Sequence, residues 1–128
     1  MKTKSLFLIS TFVIAFILGA CGTQSGPKDV VKELYASLEK NDVAAVKAKS
    51  SKALLGLLND EKLTKGVEKK SKEFAKKQGI KEIQFTDEKV AEEQIDYKIV
   101  IVYNDGSQEN DKIRLVKEDG DWKAAPSK

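Results

Sequence analysis

The sequence predicts an α+β domain, with two or three helices followed by an antiparallel sheet of about four strands. Two patterns carry this prediction. Between residues 27 and 78, apolar residues recur every three or four positions, as on one face of a helix. From residue 80 onward they tend to alternate with polar residues, and Asn-Asp-Gly and Asp-Gly-Asp segments interrupt them, as in strands joined by tight turns.

The first predicted helix begins at Pro27, because proline suits the first helical position, and Gly26 or Ser25 lies near its cap. It is about 14 residues long and has one apolar stripe. The stripe comprises Val30, Val31, Leu34, Tyr35 and Leu38. Asn41 and Asp42 end this helix, and Asp42 is suited to cap the next one.

Residues 43–58 predict a second helix, although the polar segment 47–51 weakens its middle and leaves two short pieces as an alternative. Asn59 and Asp60 then break the chain. A further helix is expected from Glu61 to Gln78, closed by Gly79 as its C-cap.

Four strands are expected after this helix. The first contains a bend and the second alternates strictly, which is typical of a half-buried strand. Their apolar positions are, in order, Ile80, Ile83, Phe85 and Val90, then Ile95, Tyr97, Ile99, Ile101 and Tyr103, then Ile113, Leu115 and Val116, and finally Trp122, Ala124 and Ala125 before Pro126.

The N-terminal segment has the plan of a secretory signal. Lys2 and Lys4 precede a nearly uninterrupted apolar run from Leu6 to Leu18. A membrane-spanning helix is the alternative. However, 15 residues from Leu6 to Ala20 extend only about 22 Å at ~1.5 Å per residue, whereas a bilayer core is ~30 Å thick.

The segment Leu18-Gly19-Ala20-Cys21 resembles the bacterial lipobox. The resemblance implies cleavage between Ala20 and Cys21, a diacylglycerol on the Cys21 sulfur, and acylation of the new N-terminus, for example by palmitate. Two or more acyl chains anchor a protein stably. We therefore expect a signal peptide (1–20), a lipidated N-terminus with a short tether (21–26), and one α+β domain (27–128). We expect it at the cell membrane or outer membrane, facing outside the cytoplasm.

The composition excludes several functional classes. The net charge of +3 falls to about +1 without Lys2 and Lys4, and Arg114 is the single arginine, which argues against a nucleic-acid binder. The absence of histidine removes the commonest general base and metal ligand, and one cysteine permits no intrachain disulfide. We expect no metal, no cofactor and no enzymatic activity.

Two sets of residues are candidate functional sites. Aromatic residues are candidates to line a pocket, with tyrosine hydroxyls that orient a small ligand, although core packing is the alternative. They are Tyr35, Tyr97, Tyr103 and Trp122. A row of lysines on the helix from Glu61 is a candidate basic surface for an anionic lipid or wall polymer, with a solvated helix face as the alternative. They are Lys62, Lys65, Lys69, Lys72 and Lys76.

The opening of the domain, from Pro27 through Val46, and its closing Gly120-Asp121-Trp122-Lys123 resemble small bacterial lipoproteins with a nuclear-transport-factor-2-like (NTF2-like, cystatin-like) domain of unknown function. The resemblance implies a cone in which helices pack into the concave face of a curved sheet. Some relatives are enzymes that use a buried Asp, His or Tyr, but this chain has no histidine, and no catalytic residue is transferred.

We therefore expect a membrane-anchored envelope lipoprotein with a non-enzymatic binding or interaction domain. Its partner would be a small apolar molecule or another envelope component. A cryptic enzyme that uses tyrosine and carboxylate groups, and a structural envelope protein without a ligand, are the alternatives. Val100, Val102 and Val116 are expected on the outer sheet face, where an exposed patch would allow a homodimer.

Overall fold

The computed structural model describes residues 26–127. The predicted signal, cleavage site and lipidated cysteine lie outside these residues. The described part contains four helices followed by four strands. They are α1 (Pro27–Glu39), α2 (Val43–Ala48), α3 (Lys52–Leu57), α4 (Asp60–Lys76), β1 (Ile80–Ala91), β2 (Gln94–Tyr103), β3 (Gln108–Glu118) and β4 (Asp121–Ala125). The strands form one antiparallel sheet in chain order, which confirms the α+β class.

Helix α1 forms as its sequence predicts. Pro27 occupies its first turn after the extended Gly26, and the apolar stripe that includes Val31 and Tyr35 is buried. The Asp42 carboxylate accepts a hydrogen bond from the Ala45 amide at 3.1 Å and thereby caps α2.

The second predicted helix is divided into two helices, which is the alternative that the polar segment 47–51 left open, and a long-range contact fixes the break. Between α2 and α3 the Ser51 amide donates to the Ala124 carbonyl, and the Ala124 amide donates to the Lys49 carbonyl, both at 2.7 Å. This parallel bridge beside β4 holds residues 49–51 in a non-helical conformation. The Ser51 hydroxyl then caps α3 by accepting from the Leu54 amide at 3.1 Å.

The predicted end of α4 needs correction. The helix ends at Lys76, and Gln78, with φ of 66°, is the left-handed residue that follows it, so Gly79 lies one position further along. The amides of Gly79 and Gln78 donate to the carbonyls of Phe74 and Ala75 at 2.9 and 3.0 Å, which is a Schellman arrangement. Gly79 also has a positive φ, and a Cβ there would lie 2.7 Å from the Glu39 carboxylate, so the chain requires glycine where it passes α1.

The sheet has one face against the helices. The inner face of β2 carries residues that are almost fully buried, in alternation with more exposed ones. These inner residues are Ile95, Tyr97, Ile99, Ile101 and Tyr103. The predicted bend in β1 corresponds to register shifts near Ile80 and Phe85. The turn between β3 and β4 is the residue pair Asp119-Gly120, both with positive φ, as a type I′ hairpin requires.

Candidate ligand-binding site

A cavity of about 400 Å³ lies between the four helices and the end of β4. Its walls are almost entirely apolar. They include Leu34 and Leu38 of α1, Leu54 and Leu58 in and after α3, and Leu63 and Val67 of α4. The volume falls within the ~300–1,000 Å³ range of small-molecule sites. Ser50 also lines the cavity, but its hydroxyl donates to the Val46 carbonyl at 2.7 Å, so the interior suits an apolar occupant.

Helix α3 is the most weakly buried wall of this cavity. None of its residues is fully buried; Leu54 and Leu55 are half-buried, and Leu57 is 65% exposed. At the N-terminal end of the helix, the Glu118 carboxylate accepts from the Lys52 amide at 3.2 and 3.3 Å. Leucine surface left in water costs ~25 cal/mol per Å², so an apolar molecule that covers this helix would be stabilised.

Lys62, Gly66 and Lys69 form one edge of the cavity. They are spaced i, i+4 and i+7, so they share one face of α4. A Cβ placed on Gly66 would meet no atom within 4 Å, which means that the glycine leaves a gap between the two lysines. Lys70 lies beside this gap and is paired with Glu73 at 3.6 Å. Within residues 26–127, neither Lys62 nor Lys69 is paired with a carboxylate.

The predicted row of lysines has three kinds of surroundings: two members have carboxylate partners, two border the cavity, and Lys76 neither lines the cavity nor has a carboxylate partner within residues 26–127. All five are exposed on α4. Lys65 pairs with Glu61 at 3.2 Å and Lys72 pairs with Glu68 at 3.1 Å, both one helical turn apart. Lys62 and Lys69, in contrast, border the apolar cavity. The structure thus places only part of the row at a site that a ligand can enter.

The four predicted pocket residues lie elsewhere, because none of them lines this cavity. Tyr35, Tyr97 and Tyr103 are buried in the core beneath the sheet. Trp122 is half-buried on β4, with the Lys117 amino group 5.5 Å from its ring centre.

The tyrosine hydroxyls of the core donate to carboxylates. The Tyr35 hydroxyl donates to Asp111 and the Tyr103 hydroxyl donates to Glu109, both at 2.6 Å. Burial and these hydrogen bonds raise the pKa of both tyrosines far above the ordinary value, and burial raises the pKa of Tyr97 to about 12. These phenols therefore stay protonated and act as hydrogen-bond donors that fix the core.

Glu109 lies at the edge of the core, half-exposed, between Tyr103 and Lys77. The hydrogen bond from Tyr103, together with the positive charge of Lys77, lowers the pKa of Glu109. The Lys77 amino group is 3.4 Å from Glu109 and 4.5 Å from the centre of the Tyr103 ring. Each polar group is thus satisfied within the fold.

A family comparison identifies the domain. The profile of the domain of unknown function DUF4878 matches residues 19–125. The chain belongs to this family. A search of the curated proteins finds no match.

The structural comparisons show the NTF2-like fold for this DUF4878 domain. A Campylobacter jejuni crystal structure, described as that of an NTF2-like transpeptidase, is similar at 18% identity with a TM-score of 0.69, over 80% of this chain and 100% of that chain. A designed protein with a curved β-sheet is similar at 15% identity and a TM-score of 0.51, over 77% and 93% of the two chains. A SEC-C motif protein from Rhodopseudomonas palustris has 10% identity and a TM-score of 0.53, over 78% and 75%.

Sequence reasoning missed the cavity because its walls come from four helices and the last strand, and no local pattern shows how these elements pack against one another. One local signal points to the cavity. Most residues of α4 have high helix propensity, whereas Gly66, which has low helix propensity, lies between Lys62 and Lys69. No group of side chains able to hold a metal ion occurs in residues 26–127. Over the same residues, no helix is both long and apolar enough to span a bilayer.

Proposed function

We propose that this DUF4878 domain belongs to a lipoprotein of the cell envelope, anchored through Cys21, and that it binds a small apolar ligand in the cavity between its helices without a catalytic step. The cavity is the observation that carries the binding role. It combines a volume of about 400 Å³, leucine and valine walls, and a helix whose leucines remain partly exposed.

The polar groups of the core favour binding over catalysis. A catalytic tyrosine needs access to a substrate, and neither Tyr35 nor Tyr103 lines the helix cavity. Their hydroxyl groups already donate hydrogen bonds to Asp111 and Glu109. A ligand in the cavity would instead contact side chains that have no acid or base function, apart from the lysines and Glu73 at its edge.

The anchor is supported by the resemblance of Leu18–Cys21 to a lipobox and by the short segment that follows. Residues 22–26 span at most about 17 Å when fully extended. A domain on such a tether works close to a lipid surface, where apolar and amphipathic molecules are concentrated.

The binding role is tested by native mass spectrometry of the full chain purified from its own host. We expect a retained small molecule that is lost in Gly66→Trp, because the indole fills the cavity. Gly56→Trp is the matched control: Gly56 is also helical and open to a Cβ, but it lies outside the cavity. A chain without any retained molecule, or equal retention in both variants, contradicts the proposal.

The anchor is tested separately by Cys21→Ser with a fatty-acid label in cells. We expect the variant to lose both the label and its firm association with the membrane fraction. Unchanged labelling and membrane association would contradict lipidation at Cys21.

A further inference from the structure

We infer that the ligand is an amphiphile with one hydrocarbon chain and an anionic head group, the chain in the helix cavity and the head group between Lys62 and Lys69. This inference rests on the proposed binding role and names its ligand class. Three features support it: the volume and apolar walls of the cavity, the gap at Gly66, and the two unpaired lysines beside this gap.

The size of the cavity matches that of one hydrocarbon chain. A water molecule occupies ~30 Å³ in the liquid, and a methylene group is of similar size, so 400 Å³ accommodates roughly a dozen methylenes. A two-chain lipid has far more hydrocarbon than this. Because each methylene that leaves water adds to the binding free energy, a hydrocarbon chain of this length would supply most of the affinity.

The position of Gly66 defines where the chain enters. Residues 62, 66 and 69 follow one another along a single stripe of α4, and only the middle position lacks a side chain. The two lysine backbones are seven residues apart, or about 10 Å along the helix axis at ~1.5 Å per residue. A head group at the gap is thus within reach of both long, flexible lysine side chains.

The charge at the gap selects an anion. Lys70 and Glu73 compensate each other at the same edge, and no carboxylate in residues 26–127 is paired with Lys62 or Lys69. Elsewhere on α4 the lysines at 65 and 72 are paired with glutamates one turn earlier. The edge of the cavity is therefore the place on this helix where two positive charges lack a partner beside an apolar interior.

The test uses the full chain in phosphatidylcholine nanodiscs and twelve-carbon probes that carry a diazirine in the chain. The probes share this chain and end in a carboxylate, a phosphate or a hydroxyl group. Labelled peptides are mapped by mass spectrometry, and apparent affinity is taken from competition with the corresponding unlabelled compound.

We expect the carboxylate or the phosphate probe, or both, to label the segments 52–58 and 62–73 saturably. The double variant Lys62→Gln/Lys69→Gln should weaken competition by the anionic compound about tenfold and change that of the alcohol less than twofold. Lys65→Gln/Lys72→Gln removes two charges from the same helix and should change neither the competition by the anionic compound nor that by the alcohol. Preference for the carboxylate indicates a fatty acid as the source, and preference for the phosphate indicates a single-chain phospholipid.

Two outcomes overturn the inference and are distinguishable. The lysines do not select a head group if the alcohol labels these segments as well as the anions do, or if both double variants lose the same affinity for the anionic compound. In either case the cavity still binds the hydrocarbon chain. If no probe labels these segments, the binding role falls together with the inference. Circular dichroism of the exposed lysine variants verifies that both remain folded.

Discussion

The two sides of the helical layer differ in how completely their residues are packed. Toward the sheet, Phe74 is 1% exposed and lies 6.3 and 6.0 Å from the ring centres of Tyr35 and Tyr103. Every buried phenol there has a carboxylate partner. Toward α3, leucines remain half-exposed around a cavity of about 400 Å³.

This difference separates stability from binding. A fully packed region has no room for a ligand and loses free energy with almost any change. A region with a cavity contributes less to the free energy of unfolding, but it gains contacts when an occupant arrives. The following predictions test whether the two regions differ as strongly as their packing indicates.

The largest expected difference is between two truncations of apolar side chains. Phe74→Ala removes a buried ring between two aromatic neighbours and should lower the free energy of unfolding by about 3–5 kcal/mol. Leu54→Ala trims a half-exposed cavity wall and should cost about 1 kcal/mol or less. Urea titration followed by the fluorescence of the single tryptophan measures both. Equal losses would show that the regions are packed alike.

The hydrogen bonds of the core provide the next effect. Tyr35→Phe removes a 2.6 Å donor to Asp111 and should cost about 2 kcal/mol, the usual range for a bond to a charged group being ~1.5–3. Tyr97→Phe is the control, because its contact with Glu88 is 3.4 Å long, and should cost less than about 1 kcal/mol. A smaller loss in Tyr35→Phe than in Tyr97→Phe would be inconsistent with this ordering. Urea midpoints measure both.

The same phenols predict a loss of stability at alkaline pH. An unfolded tyrosine ionises near pH 10.0, while burial holds the pKa of Tyr97 at about 12 and those of Tyr35 and Tyr103 higher. Their contribution is fully present below pH 10 and is lost as pH rises above it, because the native state retains protons that the unfolded state releases. The slope approaches about 1.4 kcal/mol per pH unit for each retained proton.

Urea midpoints at pH 8, 10 and 11 measure this alkaline loss. The double variant Tyr35→Phe/Tyr103→Phe should flatten the decline above pH 10, whereas Leu54→Ala should leave its slope unchanged. A decline that is identical in the parent and in the double phenylalanine variant would assign it to other groups.

The smallest expected effect is a gain on the cavity side. Gly66→Ala adds a methyl group where no atom lies within 4 Å and improves helix propensity, so it should raise the free energy of unfolding by about 0.5–1 kcal/mol. Gly79→Ala, in contrast, should destabilise, because Gly79 has a φ of +87°, a backbone conformation that L side chains rarely adopt. Thermal unfolding shows whether each variant is more or less stable than the parent. A loss of stability in Gly66→Ala would contradict an open cavity.

Local sequence rules predicted most of the elements but not their long-range partners. Pro27 was sufficient to predict the start of α1, and the strict alternation from Ile95 to Tyr103 was sufficient to predict the buried face of β2. Both features are decided by residues that are neighbours in sequence. The break between α2 and α3 at Ser51 depends on a hydrogen bond to Ala124. The Tyr35 hydroxyl donates to Asp111, which is 76 residues away. No local pattern encodes such pairs.

The candidate site was predicted only in part for the same reason. The helical spacing of the lysines on α4 correctly indicated that all five are exposed. It did not indicate that Lys62 and Lys69 border a cavity, because the opposite wall is formed by α1 and α3. The aromatic residues were proposed as a pocket from their chemistry alone. Tyr35 and Tyr103 instead pack against Phe74, Tyr97 packs against Phe85, and Trp122 is half-buried on β4.

Hydrogen exchange of the full chain in phosphatidylcholine nanodiscs, with and without the twelve-carbon carboxylate, tests the contrast between the two regions most directly. In the free protein, amides of α3 should exchange much faster than those of β2, and saturating ligand should slow α3 and the middle of α4 at least threefold while β2 stays unchanged. If α3 is as protected as β2 without ligand, or if its exchange does not change at saturation, the cavity between the helices is not the binding site.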